Sequence, residues 1–247
     1  RECIIEHGGE IHFGTCISSL STLNTQHPTI LAIGHSAHDT YQMLQDEGVL
    51  LEDKGFAMGV RAEHPQALIN KLMYHDPSPE LIRLVGNASY SLVTQVQGRG
   101  VYSFCMCPGG HIVPAGSALN SCVVNGMSAS HRNSPYANSG MVVEIRPEDL
   151  LVNNNTTPHY TTIHHTTPAL AGLMFQQELE RLAFEHGGEP SIAPAQRLRD
   201  FVEGIASKSL PACSYLPGMV SSRLDQWLPE HIGKRLQQGF RDFDRKY

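Results

Sequence analysis

The hydrophobic pattern of residues 1–54 is typical of an α/β unit. Residues 10–14 alternate between apolar and polar positions, which predicts a short strand. Residues 29–33 form a continuous apolar run, which favours a strand buried on both faces, as in a parallel sheet. Asp39 then predicts the start of a helix by capping it, and Gly48 predicts its end.

Residues 55–146 carry the period-two pattern of β-strands, separated by Gly, Pro and Asn turns. Strands are predicted at 56–60, 91–96, 101–106, 111–115, 121–125 and 141–145. A helix over 65–74 interrupts them, with Pro65 at the favoured first position. Residues 147–167 are rich in Asn, Thr and Pro without periodicity, which predicts a loop.

Residues 168–247 are predicted to be helical, with three helices that begin at prolines: Pro168, Pro194 and Pro229. Each has an apolar stripe at helical spacing: Phe175, Leu179, Leu182 and Ala183; Leu198, Phe201, Val202 and Ile205; Ile232, Leu236 and Phe240. The predicted fold class of residues 55–247 is therefore α+β, a mainly antiparallel β domain followed by a helical carboxy-terminal part.

The amino-acid composition excludes several classes of protein. Hydrophobic residues make up 40% of the chain and charged residues 17%, which excludes an intrinsically disordered chain. No apolar run approaches the roughly 18 residues of a membrane span, so no membrane is expected as a partner. The net charge is −6 and the basic residues do not cluster, so no nucleic-acid partner is expected.

The six cysteines are scattered, in a spacing that suggests neither a secreted disulfide framework nor a zinc site. A reduced intracellular compartment, by default the cytoplasm, is the expected location. The chain starts at Arg1 rather than Met, which suggests a piece of a longer protein.

The segment from Cys105 to Gly110 is the first candidate for chemistry. Strand alternation predicts that Cys105 and Cys107 share a face, where thiolates can act as nucleophiles or redox groups. Pro108, Gly109 and Gly110 predict a tight turn whose backbone approaches a ligand closely. The alternative is that the two cysteines only pack in the interior, as cysteine commonly does.

The turn at residues 32–39 is the second candidate, because a glycine between a strand and a helix can bind an anion or the edge of a cofactor. Most such turns are only connectors. His159, His164 and His165 raise the alternative of a metal site, but they have no carboxylate at ligand spacing, and exposed loop histidines are favoured.

Three further segments have weaker patterns. Residues 125–128 and 137–140 are predicted as small-residue turns between strands, and Pro194–Arg197 as a helix start that faces an anion. The sequence has no GxSxG, Walker A, HxE…CxxC or GxGxxG motif, which lowers the expectation of a hydrolase or a self-contained nucleotide binder.

Several of these segments together resemble a family of FAD-dependent dehydrogenases of unknown substrate. The matching motifs, in family order, are GHSAHDT at 34–40, GVRAEHPQ at 59–66, YSFCMCPGG at 102–110, NGMS at 125–128 and APAQR at 193–197. The resemblance implies a two-dinucleotide-binding, Rossmann-like flavin domain that is split by an inserted domain. Residues 1–54 would be a remnant of the flavin domain, and residues 55–247 the inserted domain.

The resemblance also implies the site residues. The turn that contacts the flavin would contain Ile33, Gly34, His35 and Ser36, and the loop with Pro108, Gly109 and Gly110 would lie towards the cofactor. Cys105, Cys107 and His35 are the catalytic candidates. The family's amino-terminal GxGxxG motif and its carboxy-terminal glycine-rich flavin segment are both missing here.

Two hypotheses on function follow from the sequence. The first is a fragment of an FAD-dependent oxidoreductase that supplies the substrate-side domain and part of the flavin pocket for a small-molecule substrate. The second is a non-catalytic module that binds a small molecule or a partner and cannot hold FAD alone, because it has no phosphate-binding glycine loop.

Overall fold

The computed structural model describes residues 1–23, 27–116, 118–150 and 168–246. The chain divides into two compact units, Arg1–Glu52 and Asp53–Tyr247. The sequence places the corresponding boundary between residues 54 and 55.

The first unit contains short helices: α1 (Glu2–Glu6), a 3₁₀ turn (Leu20–Thr22) and α2 (His38–Asp46). Helix α2 ends as predicted just before Gly48, whose φ of +80° suits glycine. It begins one residue before Asp39, and its N-cap position is occupied by Ala37, which makes no side-chain cap hydrogen bond, so the predicted cap at Asp39 is wrong.

The two strands predicted in the first unit are not formed. Residues 10–14 and 29–33 have no strand partner among the described residues, and Ile30 is 90% exposed. A strand buried on both faces needs neighbouring strands and covering helices, and the described part of this unit provides neither. The α/β architecture predicted for residues 1–54 is therefore not seen in this structure.

The second unit is built on an antiparallel sheet. Its strands are β1 (Phe56–Pro65), β2 (Val93–Val96), β3 (Arg99–Cys107), β4 (Gly110–Pro114), β5 (Val124–Ser128), β6 (Tyr136–Ile145), β7 (Ala193–Ala195) and β8 (Met219–Ser221). The main sheet has the order β1-β6-β3-β2, all antiparallel. Strands β4 and β5 form a separate hairpin, and β7 and β8 form a short parallel pair.

The helices of the second unit are α3 (Gln66–Tyr74), α4 (Pro79–Val85), α5 (Pro147–Leu150), α6 (Ala171–Gly187), α7 (Leu198–Glu203), α8 (Leu224–Trp227) and α9 (Glu230–Lys246), with a 3₁₀ turn at Pro168–Leu170 before α6. Helix α9 follows Pro229 directly, and α6 ends at Gly188, whose φ is +81°. Both agree with the sequence prediction.

The core lies between one face of the sheet and the helices α6 and α9. Met141, Val143 and Ile145 alternate along β6 and are almost completely buried. They pack with the predicted helix stripes, chiefly Phe175, Leu179, Ile232 and Leu236. The intervening residues of β6 therefore lie on the opposite face of the sheet.

The prediction of mixed α and β structure with an antiparallel sheet is confirmed. Three local predictions are wrong: Pro194 begins no helix but lies in β7, and residues 125–128 and 137–140 are no turns but lie in β5 and β6. Pairing with neighbouring strands outweighs the turn preference of the small residues in these segments. Part of the predicted loop forms α5, and residues 151–167 lie outside the described residues.

No helix in the described ranges combines the length and the apolar character needed to cross a bilayer.

Replacing Leu236 by Ala should lower the free energy of unfolding by about 2–5 kcal/mol, because it leaves a cavity under the sheet. Leu236 is 1% exposed. The matched control is Leu216→Ala, since Leu216 is 96% exposed and its truncation should cost less than about 0.5 kcal/mol. Urea unfolding followed by circular dichroism measures both; equal losses would contradict this assignment of the core.

Candidate functional site

The turn expected to contact flavin is held by local hydrogen bonds. The Tyr41 hydroxyl donates to the Gly34 carbonyl at 3.1 Å, and His35 Nε2 lies 3.3 Å from Ser36 Oγ. Gly34, His35 and Ser36 are exposed, whereas Ile33 is half-buried. The structure therefore places these four residues beside the start of α2 without a strand leading into the turn.

The backbone at Cys105 breaks the strand alternation. Cys105 has a φ of +46°, and the register between β3 and β6 shifts between Phe104 and Cys107. Cys107 is paired with Asn138 and its thiol donates to the Cys105 carbonyl at 3.4 Å, while Cys105 is exposed. The alternation from which a shared face was predicted for the two thiols is thus interrupted by a bulge.

The glycines after the cysteines approach the protein's own backbone. A Cβ on Gly109 would lie 1.8 Å from the carbonyl oxygen of Arg132, and one on Gly110 would lie 2.7 Å from that of Met127. The Gly109 N–H donates to Gln66 Oε1 at 2.6 Å. Packing therefore requires glycine at both positions.

The loop is further fixed from two sides. Ser128 Oγ donates to the Pro108 carbonyl at 2.9 Å, and Asn87 Nδ2 donates to the Arg132 carbonyl at 2.7 Å. Pro108, Gly109 and Gly110 are all buried. Their backbone packs against other parts of the chain. The role predicted for these three residues towards a cofactor stays a prediction.

Arg61 is the centre of the polar side chains on the sheet face opposite the core. It lies on β1, and its guanidinium donates to Asn138 Oδ1 and Asn125 Oδ1, both at 3.2 Å. It also donates to the Cys105 carbonyl at 3.4 and 3.5 Å. Three other strands of the unit thus meet at this one side chain.

Two features show how tightly the Arg61 side chain is enclosed. A Cβ on Gly126 would lie 2.2 Å from Asn138 Oδ1 and 2.7 Å from Arg61 Cζ, so only glycine lets β5 pass at this distance. Asn138 is completely buried, and its Nδ2 has no hydrogen-bond partner among the described residues. Burial lowers the pKa of Arg61, and the nearby Cys107, Cys105 and Tyr90 oppose this effect.

A second polar chain lies on the core side of the same strands. His64 Nε2 lies 2.6 Å from the Tyr90 hydroxyl, which lies 2.7 Å from Ser139 Oγ. Burial lowers the pKa of His64 and raises the pKa of Tyr90. Both side chains are therefore neutral at neutral pH, and they form a fixed hydrogen-bonded network.

A cavity of about 570 Å³ runs along β1, the edge strand of the sheet. It is lined mainly by apolar side chains of β1, α6 and the segments 193–198 and 210–215, and also by Arg61, Asn125 and Phe104. Both oxygens of the Glu63 carboxylate, which lies on the same strand, accept hydrogen bonds from Ser214. Cys105 and Cys107 do not line this cavity.

Comparison with known proteins places this domain in a family. Residues 55–247 match the family model described as "FAD-dependent protein, C-terminal domain-like". The chain belongs to this family. It is also 38% identical to a protein of Clostridium beijerinckii described as "Uncharacterized protein", over all of this chain and 46% of that protein. The chain therefore spans less than half the length of this relative.

The described residues do not by themselves fit FAD. A dinucleotide is held by a glycine-rich turn between a strand and a helix, whose backbone N–H groups bind the pyrophosphate. The turn at Gly34 follows no strand, and the Gly109 N–H is already bound to Gln66. Family membership thus connects the chain with FAD-dependent proteins, while the described residues show no cradle for the cofactor's phosphates.

The described residues contain no group of three or more His, Cys, Asp or Glu that could hold a metal ion. The candidate metal ligands His159, His164 and His165 lie outside the described residues.

The sequence motifs include the segments that contain Arg61 and Asn125, but they do not predict that Arg61, Asn125 and Asn138 form a cluster. These residues are distant in the chain, and only strand pairing brings β1, β5 and β6 together. One signal was present: Arg61 stands in the middle of a strand that is otherwise rich in apolar and small residues.

The buried His64 should make the protein less stable in mild acid. Its pKa is lowered in the folded state, so below about pH 6.5 the unfolded state binds a proton that the folded state does not. The free energy of unfolding should fall as the pH drops through this range, and less steeply in His64→Gln. Histidine NMR titration tests the cause; a pKa of His64 at or above its ordinary value would contradict it.

Cys105 should react with iodoacetamide before Cys122 and Cys213. Cys105 is exposed, whereas burial raises the pKa of both other thiols and lowers their thiolate fraction. Peptide mass spectrometry after timed alkylation of the native chain measures the order. Alkylation in the unfolded state is the control, in which the difference should disappear; faster labelling of Cys122 in the native chain would contradict the assigned burial.

Proposed function

We propose that residues 55–247 form the substrate-side domain of an FAD-dependent oxidoreductase. Membership in the FAD-dependent protein C-terminal domain-like family carries this proposal. In a flavoprotein the cofactor performs the redox chemistry, while the protein shapes and orients the substrate site. The fixed polar cluster at Arg61 and the cavity beside it are suited to that second task.

The remaining parts of the flavin site are proposed to lie in other segments of the longer protein. This is supported by the Clostridium beijerinckii relative, of which the chain covers only 46%. Residues 1–54, with the GHSAHDT motif, are proposed to belong to that flavin-binding domain, and Ile33–Ser36 to its cofactor contact. The loop from Cys105 to Gly110 is proposed to face the flavin, with the exposed thiol of Cys105 as the group nearest to solvent.

The second candidate function is a module that binds a small molecule without redox chemistry. It is favoured by one observation, that the described residues contain no phosphate cradle although they contain a well-formed apolar cavity. The two candidate functions differ in whether the whole Clostridium beijerinckii relative is expected to bind FAD.

Flavin binding distinguishes them. The whole Clostridium beijerinckii relative should purify with bound FAD and its yellow absorbance, or gain that absorbance when FAD is added. The 247-residue chain alone should show weak or no FAD binding in calorimetry, because its described residues do not supply backbone contacts to the pyrophosphate of FAD.

Circular dichroism of the isolated chain is the control, since it shows that weak binding does not come from a failure to fold. A folded relative that stays colourless in excess FAD would overturn the oxidoreductase proposal. Sub-micromolar FAD affinity of the isolated chain would overturn the proposed division of the flavin site.

A further inference from the structure

Arg61 has no acidic partner among the described residues. The hydrogen-bond acceptors of its guanidinium are two amide oxygens and a backbone carbonyl, all neutral. Other part-buried arginines of the same unit are compensated: Arg99 contacts Asp149 at 2.7 Å and Arg223 contacts Asp225 at 2.6 Å. A half-buried cation without a counter-charge is costly unless something else neutralises it.

The existing hydrogen bonds of Arg61 are weak for a charged donor. They measure 3.2–3.5 Å, whereas charge-assisted bonds to an anion are typically about 2.7–2.9 Å. The neighbouring Asn138 Nδ2 is a second donor, completely buried and without a partner among the described residues. The charge of Arg61 is thus met only by neutral oxygens at long distances, which leaves it able to gain from an anionic acceptor.

The surroundings indicate what the rest of the ligand is. Arg61 lines the cavity of about 570 Å³ beside β1, whose other walls are mostly aliphatic and aromatic. Glu63 and Glu180 also line it, but Ser214 binds both oxygens of Glu63, and Gln176 donates to Glu180. These donors are neutral, and neither carboxylate forms an ion pair with Arg61.

We propose that Arg61 binds the carboxylate of an otherwise apolar small molecule that occupies this cavity. Asn138 is completely buried and does not line the cavity, and its Oδ1 holds the guanidinium in place. The planar guanidinium fork matches a carboxylate with two parallel hydrogen bonds. Arg61 and the exposed Arg197 line the cavity together with two carboxylates, and this balance favours a singly charged carboxylate over a multiply charged phosphate, which needs several cationic or backbone donors. That the ligand is the substrate of a flavoenzyme rests on the proposed function; the binding itself requires only this domain.

Calorimetry with the 247-residue chain tests the proposal. The probes are octanoate and 3-phenylpropionate, their neutral amides octanamide and 3-phenylpropanamide, and inorganic phosphate. The wild-type chain should bind at least one carboxylate, and that carboxylate roughly tenfold or more tightly than its amide, since an ionised acceptor strengthens hydrogen bonding to the guanidinium.

Two variants assign the site. Arg61→Met removes the cation while it keeps a side chain of similar length, and should weaken carboxylate binding roughly tenfold to hundredfold. Asn138→Asp is nearly isosteric and places a carboxylate next to Arg61, so it should also abolish most of the binding without loss of the fold. Arg199→Met is the matched control, because Arg199 is exposed, pairs with Glu203 and does not line the cavity.

Retention of the affinity in a folded Asn138→Asp or Arg61→Met variant would overturn the proposal. So would equal binding of acid and amide, tighter binding of phosphate, or no binding of either carboxylate by the folded wild-type chain. FAD takes no part in these measurements, so their outcome is independent of whether the relative holds flavin.

Discussion

Strand β6 is the element on which the second unit depends. It lies between β1 and β3, so it hydrogen-bonds on both edges, and six of its ten residues are buried. Its period-two alternation directs Met141, Val143 and Ile145 into the apolar core and places Asn138 and Gly140 on the other face. One strand therefore holds the core and the candidate site in a fixed relation to each other.

The Arg61 side chain on that second face is closely enclosed. Gly126 passes against its guanidinium, and Gly109 packs against the backbone of Arg132, so closely that a Cβ at either position would force its neighbours to shift. The desolvation of Arg61 is offset only in part by neutral oxygens. An incompletely compensated charge beside an apolar cavity suits the binding of a ligand, and Arg61 lines that cavity whereas Cys105 and Cys107 do not.

Much of the second unit could be predicted from sequence because local rules and tertiary packing agree there. The helix stripes with Phe175 and Ile232 are buried as expected, and Gly188 and Pro229 delimit their helices. Prediction failed where the tertiary structure opposed the local signal. Pro194 is a typical helix start but pairs with β8, and strand β3 contains a bulge at Cys105 that the alternation rule does not predict.

The first unit shows the reverse case. The apolar run at 29–33 has the composition of a buried strand, yet Ile30 is exposed, because a strand forms only when other strands complete its hydrogen bonds. An apolar composition makes a segment suitable for a buried strand, but the strand forms only where neighbouring strands pair with it.

The class of the domain follows from the amino-acid sequence, because alternating strands, amphipathic helices and family motifs are local properties of the chain. The candidate site depends on the folded arrangement of the strands. Asn125 and Asn138 follow Arg61 by 64 and 77 residues in the sequence. The strand order and register bring the three side chains together. Whether Arg61 has an acidic partner is likewise a property of the folded neighbourhood, because charge compensation depends on distance in space and not on position in the chain.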